Sequence, residues 1–360
     1  KLKQADPSVR VVLTGCSVRA DNADTLERRY PAGDLFLRPD EEPELSARLG
    51  LGGPTTPEQL GAAGFERVGR SVAATADRLA GPRALAVEAG SIARDRGAKA
   101  WIPIVYGCDK TCTYCIVPFA RGPERSRPFD DIVAEARTLA DAGYREVTLL
   151  GQNVNSYGHD LPPDPRFAGL TSQRELGRRQ DRDGRPDIAA LLRAIDAIRG
   201  PEGTPGIPRL RFVTSHPWDL TDRLIEAMAE CASVCEHLHL PVQSGDDEVL
   251  KRMGRQYTAE AYLELVQKLR AAVPGIALTT DIITGFCGET EAQFESTLEL
   301  MRTVRFEQVF AAAYSERPGT PATRLPDDVS TDEKKRRLNE LLGVQEVIGR
   351  ELNEAWVGRR

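Results

Sequence analysis

Three cysteines stand close together in the stretch YGCDKTCTYC: Cys108, Cys112 and Cys115. The spacing C-x3-C-x2-C gathers three soft thiolate ligands on one short loop, one fewer than the four that hold an ordinary [4Fe–4S] cluster. A cluster held by three thiolates keeps one iron open to a further ligand, whereas a four-cysteine site is closed and suits electron transfer or structure. A structural zinc knuckle would favour paired C-x2-C hooks, and the second pair is missing. Chance is a poor source of the spacing. With 7 cysteines in 360 residues, a random match is expected in roughly three of a thousand such chains.

Other side chains invite chemistry less strongly. Cys231 and Cys235 lie four apart at the end of a helical stretch, but no partner motif accompanies them, so they read as structural thiols. Cys16, in VLTGCSVR, follows a strand and is by itself an ordinary buried thiol. His237 and His239 alternate on one face of a strand and read as packed or hydrogen-bonded there; His216, after another strand, is the better active-site histidine. Arg121, Arg125 and Arg127 directly follow the cysteine loop, where guanidinium groups can bind phosphate bidentately and stack on bases. Lys334 to Arg337 reads as a solvated helix face.

The elements that must position these groups alternate regularly from Trp101 onward. Apolar, β-branched runs at 101–106, 146–151, 209–215, 237–242, 277–285 and 308–315 predict six strands. Helical patterns separate them at Asp130–Ala142, Ile188–Ile198, Thr221–Ala229, Ala259–Ala272 and Glu291–Thr303, with Asp130 and Thr258 as N-caps and Pro274-Gly275 as a stop. Such alternation implies parallel pairing with right-handed crossovers. Six units are too few to close an eight-fold barrel, so the predicted fold is α/β, an open six-unit partial TIM barrel. A truncated small α/β domain precedes it over residues 1–90, with 84–100 as linker. The charged, Pro-rich residues 161–186 read as a mobile surface loop, and 331–353 as a helical tail. In a parallel β/α barrel the chemistry lies at the C-terminal strand ends. The distinctive polar words of this chain fall there in turn: the cysteine loop, Gly151–Asn155, Ser215–Pro217, Pro241–Gly245, Asp281–Gly285 and Ser315–Pro321.

Composition bounds the rest. The chain is 41% hydrophobic and 28% charged, an ordinary globular balance with room for about two domains or slightly more. No apolar run approaches the roughly 18 residues of a membrane helix, and no secretory leader opens the chain. Seven cysteines with three packed into one loop do not form a disulfide framework; a reducing, cytoplasmic setting is expected. The net charge of −6 argues against a generic nucleic-acid coat. It leaves room for a nucleic-acid enzyme, because charge acts locally over a Debye length of about 8 Å.

The cysteine loop after the first barrel strand, with Tyr114 beside the last cysteine, resembles the radical S-adenosylmethionine superfamily. The words CTYCIVPFARGPERSRP, LLGQNVNSYG, RFVTSHPWDLTD, HLHLPVQSGDDEVLKRMGR, DIITGFCGET and RPGTPA resemble its methylthiotransferase branch, closest to the tRNA-2-methylthio-N6-dimethylallyladenosine synthase group, over essentially the whole chain. The resemblance implies a radical cluster on Cys108, Cys112 and Cys115, S-adenosylmethionine as cofactor, and a cofactor pocket drawing on Gly151, Asn153, Gln243, Ser244 and Asp281. It also implies a second [4Fe–4S] cluster that supplies sulfur, with Cys16 as its last ligand and two ligands upstream of this fragment. Residues 91–325 would be the radical core, and 326–360 would lead into an RNA-binding β-barrel of the TRAM type. Catalysis would rest with the cluster, with no general base to nominate. The implied reaction inserts a methylthio group at C2 of an isopentenylated adenosine beside the anticodon, on a tRNA anticodon stem-loop. A reductant such as flavodoxin or ferredoxin would feed a monomeric enzyme, and the sulfur donor is open. Two alternatives stand beside this reading: methylthiotransfer to a threonylcarbamoyladenosine tRNA or a ribosomal protein, and a non-catalytic iron–sulfur or zinc module that binds RNA. Cys287 stands where the family usually has Pro, a departure that removes no expected ligand.

Overall fold

The computed structural model describes residues 10–15, 18, 23–37, 45–48, 97–170, 173–175, 178–180 and 184–358. Cys16 and most of the expected linker lie outside them. The chain divides into two units. The first comprises Lys1–Arg83 with Gly107–Asp109 and Ile116–Pro123; the second comprises Ala84–Tyr106, Lys110–Cys115 and Glu124–Arg360.

In the first unit, β1 (Val12–Thr14) and β2 (Leu35–Leu37) pair in parallel, Val12 opposite Leu35. The intervening α1 (Ala23–Arg29) buries Leu26, and Leu35 and Leu37 are buried too. A short α2 (Leu45–Arg48) follows.

The second unit holds the strands β3 (Lys99–Pro103) and β4 (Val105–Tyr106). The helix α3 (Val117–Arg121), grouped with the first unit, comes next in the chain. Then come β5 (Arg125–Ser126), α4 (Phe129–Asp141) and β6 (Glu146–Leu150). The strands β7 (Gln173–Glu175) and β8 (Arg178–Gln180) precede α5 (Ile188–Asp196). The order continues with β9 (Arg209–Phe212), α6 (Asp222–Glu230), β10 (His237–His239), α7 (Asp247–Arg252) and α8 (Ala259–Ala272). It ends with β11 (Ala277–Thr284), α9 (Glu291–Val304), β12 (Gln308–Ala313) and α10 (Thr331–Glu354).

Six of these strands form two parallel triplets, β3-β6-β9 and β10-β11-β12. A parallel bridge, Leu210 to Val234, links the third strand to the segment entering the fourth. Among the described strands β3 and β12 do not pair with each other, so the barrel is open, as the six-unit count requires. The helices pack by the expected logic. In α4, Ile132, Ala136 and Leu139 recur on one face and are buried in the core that also holds Ile102 of β3 and Val147 and Leu149 of β6. Asp187, Thr221, Thr258 and Thr290 cap α5, α6, α8 and α9, each accepting a backbone N–H of the first turn.

Four expectations change. The helix α4 begins at Phe129 after Pro128, so Asp130 sits in its first turn and receives a two-pronged contact from Arg166 instead of capping. The 161–186 stretch contains an antiparallel hairpin, β7 with β8, whose charged sequence hid a backbone-driven pairing. The first barrel strand begins at Lys99, inside the stretch read as linker. The basic run of α10 is not a solvated face: Lys334 and Arg337 are buried, paired with Asp327 at 2.6 Å and Glu289 at 3.0 Å.

On the same helix the hydrogen bond from Arg336, with help from Arg337 against an opposing burial penalty, holds the Glu333 carboxyl down at about 2, against an ordinary value of 4.5. A folded value below the unfolded one gives stability that is complete above about pH 4.5 and lost as the pH falls toward about 2. Glu333→Gln is therefore expected to lower the thermal midpoint near neutrality, with the gap to the parent chain closing across that acid window. A gap of constant size in melts over the same range would contradict the ion-pair account.

Candidate active site

The base of the cysteine loop is a two-stranded hairpin, β4 with β5, which pairs Val105 with Ser126 and Tyr106 with Arg125. Cys108 is buried and its N–H donates to the Gly122 carbonyl at 3.2 Å; Cys112 and Cys115 are half-buried. The middle of the loop is fastened to the end of α7. Thr113 donates its N–H to the Met253 carbonyl at 2.9 Å and its hydroxyl to the Arg252 carbonyl at 2.8 Å, while the Thr113 carbonyl accepts from Ala322 N–H at 2.9 Å.

Gly254 makes this approach possible. Its φ is +72°, and a Cβ there would lie 2.6 Å from the Thr111 carbonyl oxygen. Gly254→Ala is expected to cost about 1–3 kcal/mol and to reduce iron retention, through strain plus displacement of the loop. Gly275→Ala serves as control: its φ is +82° but nothing lies within 4 Å of the added carbon. Equal losses of stability and iron in the two variants would show that the contact with Thr111 is unimportant.

Beside this brace lies a polar cluster that the sequence reading missed. Asp219 accepts from the Lys110 ammonium at 2.8 Å and 2.5 Å and from the Asn153 amide at 2.6 Å, with Lys110 and Asp219 side chains 12% and 4% exposed. Asn153 Oδ1 in turn accepts the His216 N–H at 3.2 Å. His216 Nδ1 accepts from Trp218 N–H at 3.3 Å, which assigns that nitrogen as unprotonated. One signal was available: Lys110 lies between two of the cysteines and Asp219 three residues after His216.

A second group gathers around β10 and β11. Gln243 pairs with β11 through its backbone, donating to the Asp281 carbonyl at 2.9 Å and accepting from Ile283 at 3.0 Å. Its φ of 75° is left-handed, as is that of Thr214 at 68°. Such conformations are uncommon for non-glycine residues and unusual for a β-branched one, and they concentrate at functional sites. Both residues lie just beyond strand ends. Asp281, 41% exposed at its side chain, faces His239 Nε2 at 3.3 Å, and His239 Nδ1 meets Thr279 Oγ1 at 2.9 Å. Burial, with Arg211 nearby, pushes the His237 imidazole pKa down.

Some expected site residues are placed elsewhere. Ser244 is fully buried; its hydroxyl meets Thr297 Oγ1 at 3.3 Å and accepts from Asp246 N–H, so it fastens the start of α7. Arg127 is 1% exposed, donating to the Pro103 carbonyl at 2.9 Å and pairing with Glu135 at 2.8 Å. It braces β3 against α4. Arg125 and Arg121 remain half-buried, with Arg125 over the Tyr106 ring at 5.3 Å. Gly151 is a packing position, since a Cβ there would fall 2.3 Å from Val105 Cγ1. Asn153 spends both ends of its amide on the protein. Cys287 is buried in a small apolar cluster with Phe286 and Tyr314, and burial raises its thiol pKa.

The site fits an anionic iron–sulfur cluster on an observation independent of spacing. Arg255, next after Gly254, is 5% exposed, and its Nε–H lacks an acceptor; among the described residues no carboxylate pairs with it. Burial opposes its charge, yet the Arg255 pKa stands above its ordinary value, and a guanidinium keeps its proton at any physiological pH. Burial in turn raises the Tyr257 hydroxyl to about 12, against the effect of Arg255, and raises Tyr114 well above the usual range.

The model of the radical SAM superfamily matches residues 102–301. The tRNA-2-methylthio-N(6)-dimethylallyladenosine synthase of Carboxydothermus hydrogenoformans is 42% identical over 355 residues, which cover 98% of this chain and 71% of that protein. The synthase of Acetivibrio thermocellus is 47% identical over 75% of this chain and 50% of its own length. That of Staphylococcus epidermidis is 52% identical over 69% of this chain and 43% of its own. The chain thus spans about half the length of the latter two relatives. With the three-cysteine loop at the end of the first strand of an open six-stranded barrel, these likenesses show that the chain belongs to the radical SAM superfamily and, within it, to the tRNA-2-methylthio-N6-dimethylallyladenosine synthases.

Proposed function

We propose that the chain is the radical-forming core of an enzyme that adds a methylthio group to C2 of N6-isopentenyladenosine in tRNA. The observation that carries the reading is the cysteine loop, held by the α7 brace at the mouth of an open parallel barrel. Cys108, Cys112 and Cys115 would hold a [4Fe–4S] cluster with S-adenosylmethionine at its open iron. When bound, this pair supplies a carbon radical, which an unreactive aromatic C2–H bond requires.

The protein's own part is positioning. The Lys110–Asp219–Asn153 cluster fixes the loop flank and the residues after β6 and β9. Gln243 and Asp281, at adjoining strand positions, offer polar groups for a zwitterionic cofactor. Tyr114 and Tyr257 keep their protons at any physiological pH and can only act as hydrogen-bonding neutral groups. Arg121 and Arg125 flank the loop on the side where an RNA phosphate would be met. Target bases in an anticodon loop are already splayed, so flipping one into the barrel mouth costs little. Cys16 completes an auxiliary sulfur-supplying cluster in this reading, and a one-electron donor of flavodoxin or ferredoxin type serves a monomeric, cytoplasmic enzyme.

Mass spectrometry of tRNA nucleosides from a strain lacking the gene tests the substrate. Isopentenyladenosine without its methylthio group is the expected outcome, restored by the intact gene. A methylthio group that persists there while the threonylcarbamoyl nucleoside or a ribosomal protein loses its own would assign a different substrate.

A further inference from the structure

Buried cations in the second unit come with carboxylates. Arg127 has Glu135 at 2.8 Å, Lys334 has Asp327 at 2.6 Å, Arg337 has Glu289 at 3.0 Å, and Lys110 has Asp219 at 2.5 Å. Arg255 breaks the pattern. Its guanidinium donates to the Pro241 carbonyl at 3.2 Å and lies 5.8 Å from the Tyr257 ring centroid, both of them neutral partners. A buried, unpaired charge is among the costliest things a fold can hold, so an anion is expected to complete the arrangement.

The brace places that anion. Residues 252–254 are fastened to Thr113 by two hydrogen bonds and approach Thr111 through Gly254, so Arg255 emerges beside the stretch that carries Cys112. A cubane core with two positive charges, held by three thiolates, carries one net negative charge and gains a second on one-electron reduction.

We infer that Arg255 is a positioning and charge-compensating residue for the iron–sulfur cluster: its fixed positive charge balances the thiolate-ligated cubane and makes the reduced state easier to reach. The inference rests on the reading that Cys108, Cys112 and Cys115 hold the cluster. It assigns Arg255 to the cluster itself, before any cosubstrate binds.

The test is an anaerobic redox titration of the reconstituted chain without S-adenosylmethionine, following the electron paramagnetic resonance signal of the reduced cluster, with iron and sulfide measured per chain. At the parent's midpoint, Arg255→Gln is expected to lower the ratio of reduced to oxidised cluster at least tenfold, about 59 mV for one electron. Arg255→Lys, which keeps the charge, is expected to recover most of that ratio. An unchanged ratio in a fully loaded Arg255→Gln chain overturns the inference and leaves the cluster reading intact. A change that appears only after S-adenosylmethionine is added also overturns it, since the guanidinium would then serve the cosubstrate. If Arg255→Gln loads no iron, Arg255→Lys decides: loading and reduction like the parent support the inference, and failure of both overturns it. A parent chain that takes up no cluster defeats the underlying reading instead.

Discussion

Cys112→Ala is expected to lose the iron–sulfur cluster, with reconstituted iron and sulfide falling from about four of each per cluster site to background. Two thiolates leave a second iron open, and the half-buried loop gives solvent a path to it. The matched control is Cys231→Ala. Cys231 is buried, and burial together with Asp196 raises its thiol to about 11. It therefore stays protonated at neutral pH and is a poor ligand, because metals bind the thiolate. Its replacement is expected to leave iron content unchanged and to cost only packing, on the order of 1 kcal/mol. Equal iron in Cys112→Ala and the parent chain would remove the loop from consideration as the cluster site. The same assay on Cys108→Ala and Cys115→Ala extends the test to the other two positions.

The second large effect belongs to Asp219. Among the described residues its carboxylate is the acidic partner of the largely covered Lys110, and it holds the Asn153 amide. Asp219→Ala strands the ammonium, and breaking a buried pair from one side costs about 3–5 kcal/mol. For a chain of this size the thermal midpoint of the metal-free protein is expected to fall by roughly 10 °C. Removing both charges, as in Lys110→Met with Asp219→Leu, is expected to recover much of the loss, since apolar replacement of a buried pair is often neutral. The signature is non-additivity. A loss below about 1 kcal/mol in Asp219→Ala would place the pair among exposed ion pairs and remove it as a support of the loop.

Much of the barrel was legible because it follows periodicity. The α8 bounds, Ala259 to Ala272, and the Thr258 cap came directly from the pattern, and the other four predicted helices differ by one or two residues at their ends. Strand order followed from alternation, and the position of the cysteine loop followed from strand order. What stayed hidden depends on contacts between distant segments. Nothing local marks Arg127 as buried: its Glu135 partner lies two turns into the next helix, and only the packing of β3 on α4 excludes water. Ser244 looks like its neighbour Gln243 in sequence, yet one hydroxyl turns into α9 while the other residue takes a left-handed backbone at the strand end. Arg255 reads as one more charge in KRMGR until it is seen that, among the described residues, no carboxylate pairs with it. Backbone strain at Thr214 and Gln243 likewise has no single-sequence signature, because neither residue type announces a positive φ.

The central claim is that this chain forms a radical from S-adenosylmethionine. It is tested most directly by anaerobic reconstitution with iron and sulfide, reduction with dithionite, and mass spectrometry for 5′-deoxyadenosine after addition of S-adenosylmethionine. The account predicts 5′-deoxyadenosine from the parent chain and none above background from Cys112→Ala. A fully loaded parent chain that yields no 5′-deoxyadenosine would contradict it and leave an iron–sulfur module without radical chemistry.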